Sequence, residues 1–329
     1  MTNNWGLLGH EWAVDMLRQQ IVRGTLRHAY LFAGPQGVGR RTLALRLAQA
    51  LNCTQPIEPG IPCGQCRDCK QIESMQYPDL TIIQAESEGG ILKVEQVREA
   101  RRMLGFKPYQ AKYRVTVFLR FQEANDSASN ALLKILEEAP SYAVLVLTAD
   151  YPEQLLPTIV SRCEVLRLRP LPPERVESFL KEQGAEGDKA HLLAHISGGR
   201  LGAALRLMHD PAALGFREEK LNEAHAFGQT SRADKFAYAD KLAKDKEAMR
   251  KVLSLWLSYW RDVFLRADGA SALPANIDRA KEIEAMAARI PTPKAQRMVS
   301  QLETALTQLE SNVNARLLAE VILLDWPKI

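Results

Sequence analysis

Residues 29–42 read AYLFAGPQGVGRRT: a short apolar run, a glycine-rich turn, and the start of a helical pattern. Ala29-Tyr30-Leu31-Phe32-Ala33 is apolar at every position, the composition of a strand covered on both faces in a parallel sheet. Gly34, Gly37 and Gly39 space the turn, and Leu43, Leu47, Ala50 and Leu51 stripe the helix that follows. This order suits phosphate binding: glycines let backbone amides curl around an anion, and the helix N-terminus adds partial positive charge. The plainer alternative is a tight strand-to-helix turn with no ligand.

Outward from this stretch, similar runs recur at Leu80–Ile83, Val115–Leu119, Val144–Thr148 and Glu164–Leu168. Helical stripes separate them. Val94, Val97 and Leu104 mark one; Ala131, Leu132, Ile135 and Leu136 mark another, which opens after Asn125-Asp126-Ser127 and closes before Pro140. Strand–helix alternation predicts a doubly wound α/β domain over residues 1–169. Past Pro170-Leu171-Pro172-Pro173 no strand pattern follows. Residues 170–209 hold three short helices punctuated by Gly184, Gly187, Gly198 and Gly199, and residues 210–329 are long-helical. The expected fold class is therefore α/β plus all-α. Val252, Trp256, Tyr259, Trp260, Val263 and Phe264 form one apolar face, Met298, Leu302, Leu306 and Leu309 another, and Val313 through Leu324 a last helix. Two readings of the Trp256–Trp260 face stand, contact with neighbouring subunits and a core within one chain.

The phosphate loop lacks parts. GxxxxGK followed by Ser or Thr needs a lysine and a hydroxyl where Arg40 and Arg41 stand. A planar guanidinium does not replace a compact ammonium freely, and the usual Mg²⁺ ligand is lost because Thr42 comes one residue late. The third strand should end in acids that hold Mg²⁺, yet Leu119 is followed by Arg120-Phe121-Gln122, with Glu123 too late. No ATP hydrolysis is expected, and ATP with Mg²⁺ is not an expected cofactor.

Cys63, Cys66 and Cys69 lie at two-residue gaps, with Cys53 upstream. In a reducing compartment such a group reads as a metal site rather than a disulfide framework. Four thiolates fill a tetrahedral Zn²⁺ and leave no position for catalysis, so the expected metal is structural zinc. The alternatives are four reduced thiols or an iron–sulfur cluster, although the proline expected after the last cysteine of such a cluster is absent. A formal charge of +4 is too small a surplus to argue for nucleic-acid binding by itself. No run of 18 apolar residues and no basic-then-apolar N-terminus exists, so a cytoplasmic protein without a membrane span is expected.

Several strings resemble one family, the bacterial DNA polymerase III clamp-loader AAA+ subunits, which include gamma/tau and delta-prime. Arg27-His28-Ala29-Tyr30-Leu31-Phe32 resembles its HAYLF lead-in and Tyr77-Pro78-Asp79-Leu80 its HPD segment, with Tyr for His. Asn130-Ala131-Leu132-Leu133-Lys134-Ile135-Leu136-Glu137-Glu138-Ala139-Pro140 is close to its NALLKTLEEPP, the cysteines to its zinc insert, and Ser161-Arg162-Cys163 to its SRC motif. The match runs through residues 5–210; the C-terminal helices fit only as a pattern. The resemblance implies an AAA+ (RecA-like) domain with a zinc module over residues 53–69, a helical lid (170–209) and a collar for oligomerisation (210–329). It implies gamma/tau and delta subunits as partners, in a complex that loads a sliding clamp on primed DNA. The degenerate loop points to the delta-prime branch, not an enzyme by itself; an active gamma/tau-type ATPase is the alternative. In that branch Arg162 is an arginine finger given in trans to a neighbour's nucleotide, against the alternative of a surface ion pair. Arg200 falls where the lid carries its sensor-2 region, either sensing nucleotide or stabilising the lid. The sensor-1 position falls near Thr148-Ala149-Asp150.

Overall fold

All five residues of β1 (Ala29–Ala33) are buried in the computed structural model, which describes residues 4–87, 89–271, 273–309 and 313–327. Total burial follows from position. β1 pairs in parallel with two neighbours, Leu31 lying opposite Leu147 on one side and Val165 on the other. Two compact units result, Met1–Leu171 with Arg200–Gly202, and Pro172–Gly199 with Ala203–Ile329.

In the first unit α1 (Glu11–Arg23) precedes β1, and α2 (Arg40–Asn52) and α3 (Arg67–Glu73) lead to β2 (Leu80–Ile83). Then come α4 (Val94–Leu104), β3 (Arg114–Phe118), α5 (Asp126–Glu138), β4 (Ala143–Ala149), α6 (Pro157–Val160) and β5 (Glu164–Arg167). The strands form one parallel sheet in the order β2-β3-β4-β1-β5. This is the AAA+ (RecA-like) arrangement. The chain leaves β1 toward β2 but leaves β4 toward β5, so neighbouring strands send their connections in opposite directions. A crevice opens at the carboxyl ends of such strands, where ligands bind in α/β sheets.

Side chains alternate between faces along each strand. Tyr30 and Phe32 of β1 pack with Val115, Val117, Val144 and Val146 against Leu43 and Leu47 of α2. Ala29 and Leu31 face the other way, with Leu145 and Leu147, against Val97 of α4 and Leu132 and Ile135 of α5. Each Val, Leu, Ile or Phe among them contributes about 1.5–3 kcal/mol on leaving water. The cap expected before α5 is present, the Asn125 side chain accepting the Ala128 N–H at 2.8 Å.

The remaining helices are α7 (Pro173–Glu182), α8 (Gly187–Ile196), α9 (Leu201–His209), α10 (Pro211–Ala226), α11 (Arg232–Leu242), α12 (Lys246–Ala267), α13 (Ala280–Arg289), α14 (Thr292–Leu309) and α15 (Ala315–Leu324). Within the second unit α7 packs on α8, and α12 packs along α14 and α13. Trp256 and Trp260 of α12 are completely buried within this chain. They meet Trp326 edge-on, with ring centroids 5.1 and 5.5 Å away, and Phe227 completes the cluster at 5.4 Å from Trp256. Of the two readings of that face, the intrachain core is the one the structure realises. Asp262, buried on the same helix, accepts the N–H groups of Ala275 and Asn276 at 3.0 and 2.8 Å and so fixes the segment that enters α13. Among the described residues no helix is long and apolar enough to cross a membrane.

Candidate functional site

The glycine turn after β1 sits at the carboxyl edge of the sheet. Gly34 takes φ +151°, and a Cβ there would lie 2.4 Å from the Leu168 carbonyl oxygen, so the close approach admits glycine alone. Its N–H donates to the carbonyls of Ala149 and Asp150 at 3.1 Å, drawing the turn onto the end of β4. His10 places its Nε2 2.9 Å from the Val38 carbonyl, and Gly39 precedes the first turn of α2. The N–H of Gly202, at the head of α9, donates to the Gly37 carbonyl at 2.8 Å. The segment around Arg200 thus reaches the loop through the backbone.

Arg40, where a phosphate-binding lysine belongs, is buried, with 7% of its side chain exposed, and pairs with Asp150 at 2.6 Å. Its Nη1 is also buried and has no hydrogen-bond partner. Asp150 was legible only as one of three residues near the sensor-1 position; its partner was not. Arg41 points elsewhere, its guanidinium meeting the Met75 sulfur, and Thr42 lies exposed on α2. At the end of β3, Arg120 adopts φ +51°, and its N–H donates to the Thr148 hydroxyl at 2.9 Å. Its side chain turns to Glu123 at 2.8 Å, and the same carboxylate accepts the Gly89 N–H at 2.9 Å. Where two acids could hold Mg²⁺ there are Leu119, buried, and an arginine already paired.

The four cysteines converge. Their sulfurs all lie within 4.8 Å of one another, Cys53 being 3.5 Å from Cys63 and 3.9 Å from Cys66. A tetrahedron of metal–sulfur bonds of about 2.3 Å has edges of about 3.8 Å, so the donor set fits one thiophilic ion. Backbone N–H groups face the sulfurs as thiolates require: Cys63 toward Cys53 (3.4 Å), Gln65 and Cys66 toward Cys63 (3.4 and 3.2 Å), Cys69 toward Cys66 (3.4 Å). Burial pushes the Cys66 thiol up, but the Cys69 N–H, Thr54 and the neighbouring sulfurs outweigh it and bring the thiol down to about 6. The knuckle is tied to the domain by Gln49, which donates to the Cys69 carbonyl at 2.8 Å, and by Trp5, which donates to the Gly60 carbonyl at 2.8 Å.

Arg162 follows α6, with 38% of its side chain exposed. It donates to the Glu137 carboxylate at 2.7 Å and to the Thr158 carbonyl at 2.9 Å. Burial pushes the thiol of its neighbour Cys163 up to about 12, away from the thiolate form a nucleophile needs.

A family model described as DNA polymerase III, delta subunit matches residues 9–172, and that of its C-terminal part matches residues 213–328. DNA polymerase III subunit delta' of Bacillus subtilis is 29% identical over 94% of both chains. DNA polymerase III subunit tau of Escherichia coli is 34% identical over 64% of this chain, which spans 33% of tau's length. A gamma subunit-related protein of Thermotoga maritima is 20% identical, with a TM-score of 0.44 over 94% of this chain and 97% of its own.

Proposed function

Because the chain belongs to the DNA polymerase III delta' family of clamp-loader subunits, we propose that it is a non-hydrolysing member of a clamp-loader assembly that lends Arg162 to a neighbour's nucleotide. The observation that carries this reading is the pairing of Arg40, at the end of the phosphate loop, with Asp150 just past β4. A hydrolysing site keeps a free cation for phosphate and carboxylates for Mg²⁺. Here the cation is neutralised by the chain's own acid, and the strand that should supply carboxylates ends in Leu119 and Arg120. A guanidinium given in trans stabilises charge on a transferring phosphoryl group and is worth about 10³–10⁵ in rate at the site it faces. Arg162, half-exposed on a short turn, supports that role better than any residue of the loop.

The partners in this reading are gamma/tau and delta subunits, and through them a sliding clamp and primed DNA, in the cytoplasm. Residues 170–209 act as the lid and 210–329 as the collar that joins the subunits. We assign the four-cysteine knuckle to structural Zn²⁺, which fills its tetrahedron with protein sulfur and leaves no catalytic position.

Purified chain mixed with Mg·ATP is expected to show no turnover. Reconstituted with gamma/tau and delta subunits, Arg162→Ala is expected to assemble normally and to lose most of the DNA-stimulated ATPase at the adjoining site. Turnover by the lone chain would favour an active gamma/tau-type ATPase, and an unchanged rate in the variant complex would reject the donated arginine.

A further inference from the structure

We infer that Glu137 is a positioning residue for Arg162, holding the guanidinium in the orientation in which it meets a neighbour's phosphate. The inference rests on the reading of Arg162 as a cation given in trans. Two anchors hold the side chain, the Glu137 carboxylate on Nη2 at 2.7 Å and the Thr158 carbonyl on Nη1 at 2.9 Å. Both stand on fixed ground. Glu137 lies in the last turn of α5 and Thr158 in α6, and Leu136, Ile135 and Ile159 of these helices share one apolar core. The Ser161 hydroxyl donates to the same Thr158 carbonyl at 3.2 Å, which steadies that anchor.

A guanidinium has five N–H donors; two are engaged here, and three remain to face a ligand. An arginine side chain carries much rotamer freedom, and holding it beforehand removes an ordering penalty from the moment of phosphoryl transfer. The choice of residue also runs against local helix preference. The last turn of α5 has no basic residue and carries Glu137 and Glu138 at the negative end of the helix. An acid placed there against the dipole is accounted for by what it grips. Glu138 grips Arg101 of α4 at 2.7 Å, whereas Glu137 grips the exposed arginine of the turn after α6.

The test is a double-mutant cycle in the reconstituted complex, read as DNA-stimulated ATPase. Glu137→Ala is expected to lower kcat about three- to fivefold, the factor an exposed ion pair sets, with KM for ATP and subunit assembly unchanged. Glu137→Gln keeps an acceptor for the guanidinium and is expected to restore most of the rate. In an Arg162→Ala background, Glu137→Ala is expected to have no further effect. A Glu137→Ala complex as fast as wild type, or faster, overturns the inference, as does a further slowing of Arg162→Ala. If Arg162→Ala is slow while Glu137→Ala is not, the Glu137 assignment alone falls. If Arg162→Ala itself runs at the wild-type rate, the donated cation falls, and this inference with it.

Discussion

Replacing Asp79 by asparagine should unsettle the sheet domain more than any comparable surface change. Asp79 is fully buried at the entrance to β2. Its carboxylate accepts the N–H groups of Tyr109, Gln110 and Ala111 at 2.8, 2.9 and 3.0 Å, and the Arg114 guanidinium at 2.8 Å. Arg114, itself buried, also donates to the Met103 and Lys107 carbonyls at 2.8 and 3.2 Å. One acid therefore ties the loop between α4 and β3 to the sheet. Asparagine keeps the volume but turns an amide toward donors and leaves a buried guanidinium without counter-charge. Breaking one side of a buried pair costs roughly 3–5 kcal/mol, which in a unit of this size lowers Tm by about 10 °C. The effect is pH-dependent. Burial alone would raise the Asp79 carboxyl, but the N–H groups of Gln110, Tyr109 and Ala111 and the Arg114 guanidinium hold it below its ordinary 3.8. A carboxyl depressed on folding contributes stability that is complete above the ordinary value and fades as pH falls through the folded one. Urea and thermal unfolding followed by circular dichroism should show a gap between wild type and Asp79→Asn that is full at pH 7 and closes in acid below about pH 4. A variant within about 1 kcal/mol of wild type at pH 7, or a gap indifferent to pH, would refute the reasoning.

Two further outcomes are expected. Metal analysis of the purified chain should find one zinc per chain, and Cys66→Ser should lose it; retention by that variant would count against a four-sulfur site. Two glycine substitutions should differ in sign. Gly202→Ala would set a Cβ 2.9 Å from the Gly37 carbonyl oxygen and should destabilise by about 1–3 kcal/mol. Gly215→Ala, where a Cβ meets nothing inside α10, should stabilise by about 0.5–1 kcal/mol. Thermal melts of the two variants check both.

The sheet was legible because its strands carry the signal that burial on two faces imposes. β1 and β2 fall where the apolar runs at 29–33 and 80–83 place them, and β3 to β5 shift by one residue at an end or two. The cysteine knuckle was legible because two-residue gaps bring Cys63, Cys66 and Cys69 together, and Cys53, at the end of α2, supplies the fourth sulfur. Partners across the chain were not. Nothing local to Arg40 names Asp150, 110 positions on and brought to it by the pairing of β1 with β4. Asp79 could be read as part of a familiar string, but its partners are amides in a loop 30 residues away. Glu137 left one trace, two acids at a helix end where the dipole disfavours them. The face of α12 illustrates a different gap: the 3.6-residue period shows that Trp256 and Trp260 are covered, and only the fold shows by what.

That aromatic cluster gives the chain a built-in optical gauge. Of its five tryptophans, Trp256, Trp260 and Trp326 sit in the helical unit, shielded from water, with Trp326 edge-on to the other two, while Trp5 is buried and Trp12 exposed in the sheet unit. Emission excited through indole is therefore weighted toward the helices and should redden when they open, whatever the sheet does. A dissolved quencher should reach Trp12 first. The two units can thus be watched coming apart separately, with no dye attached and no residue changed.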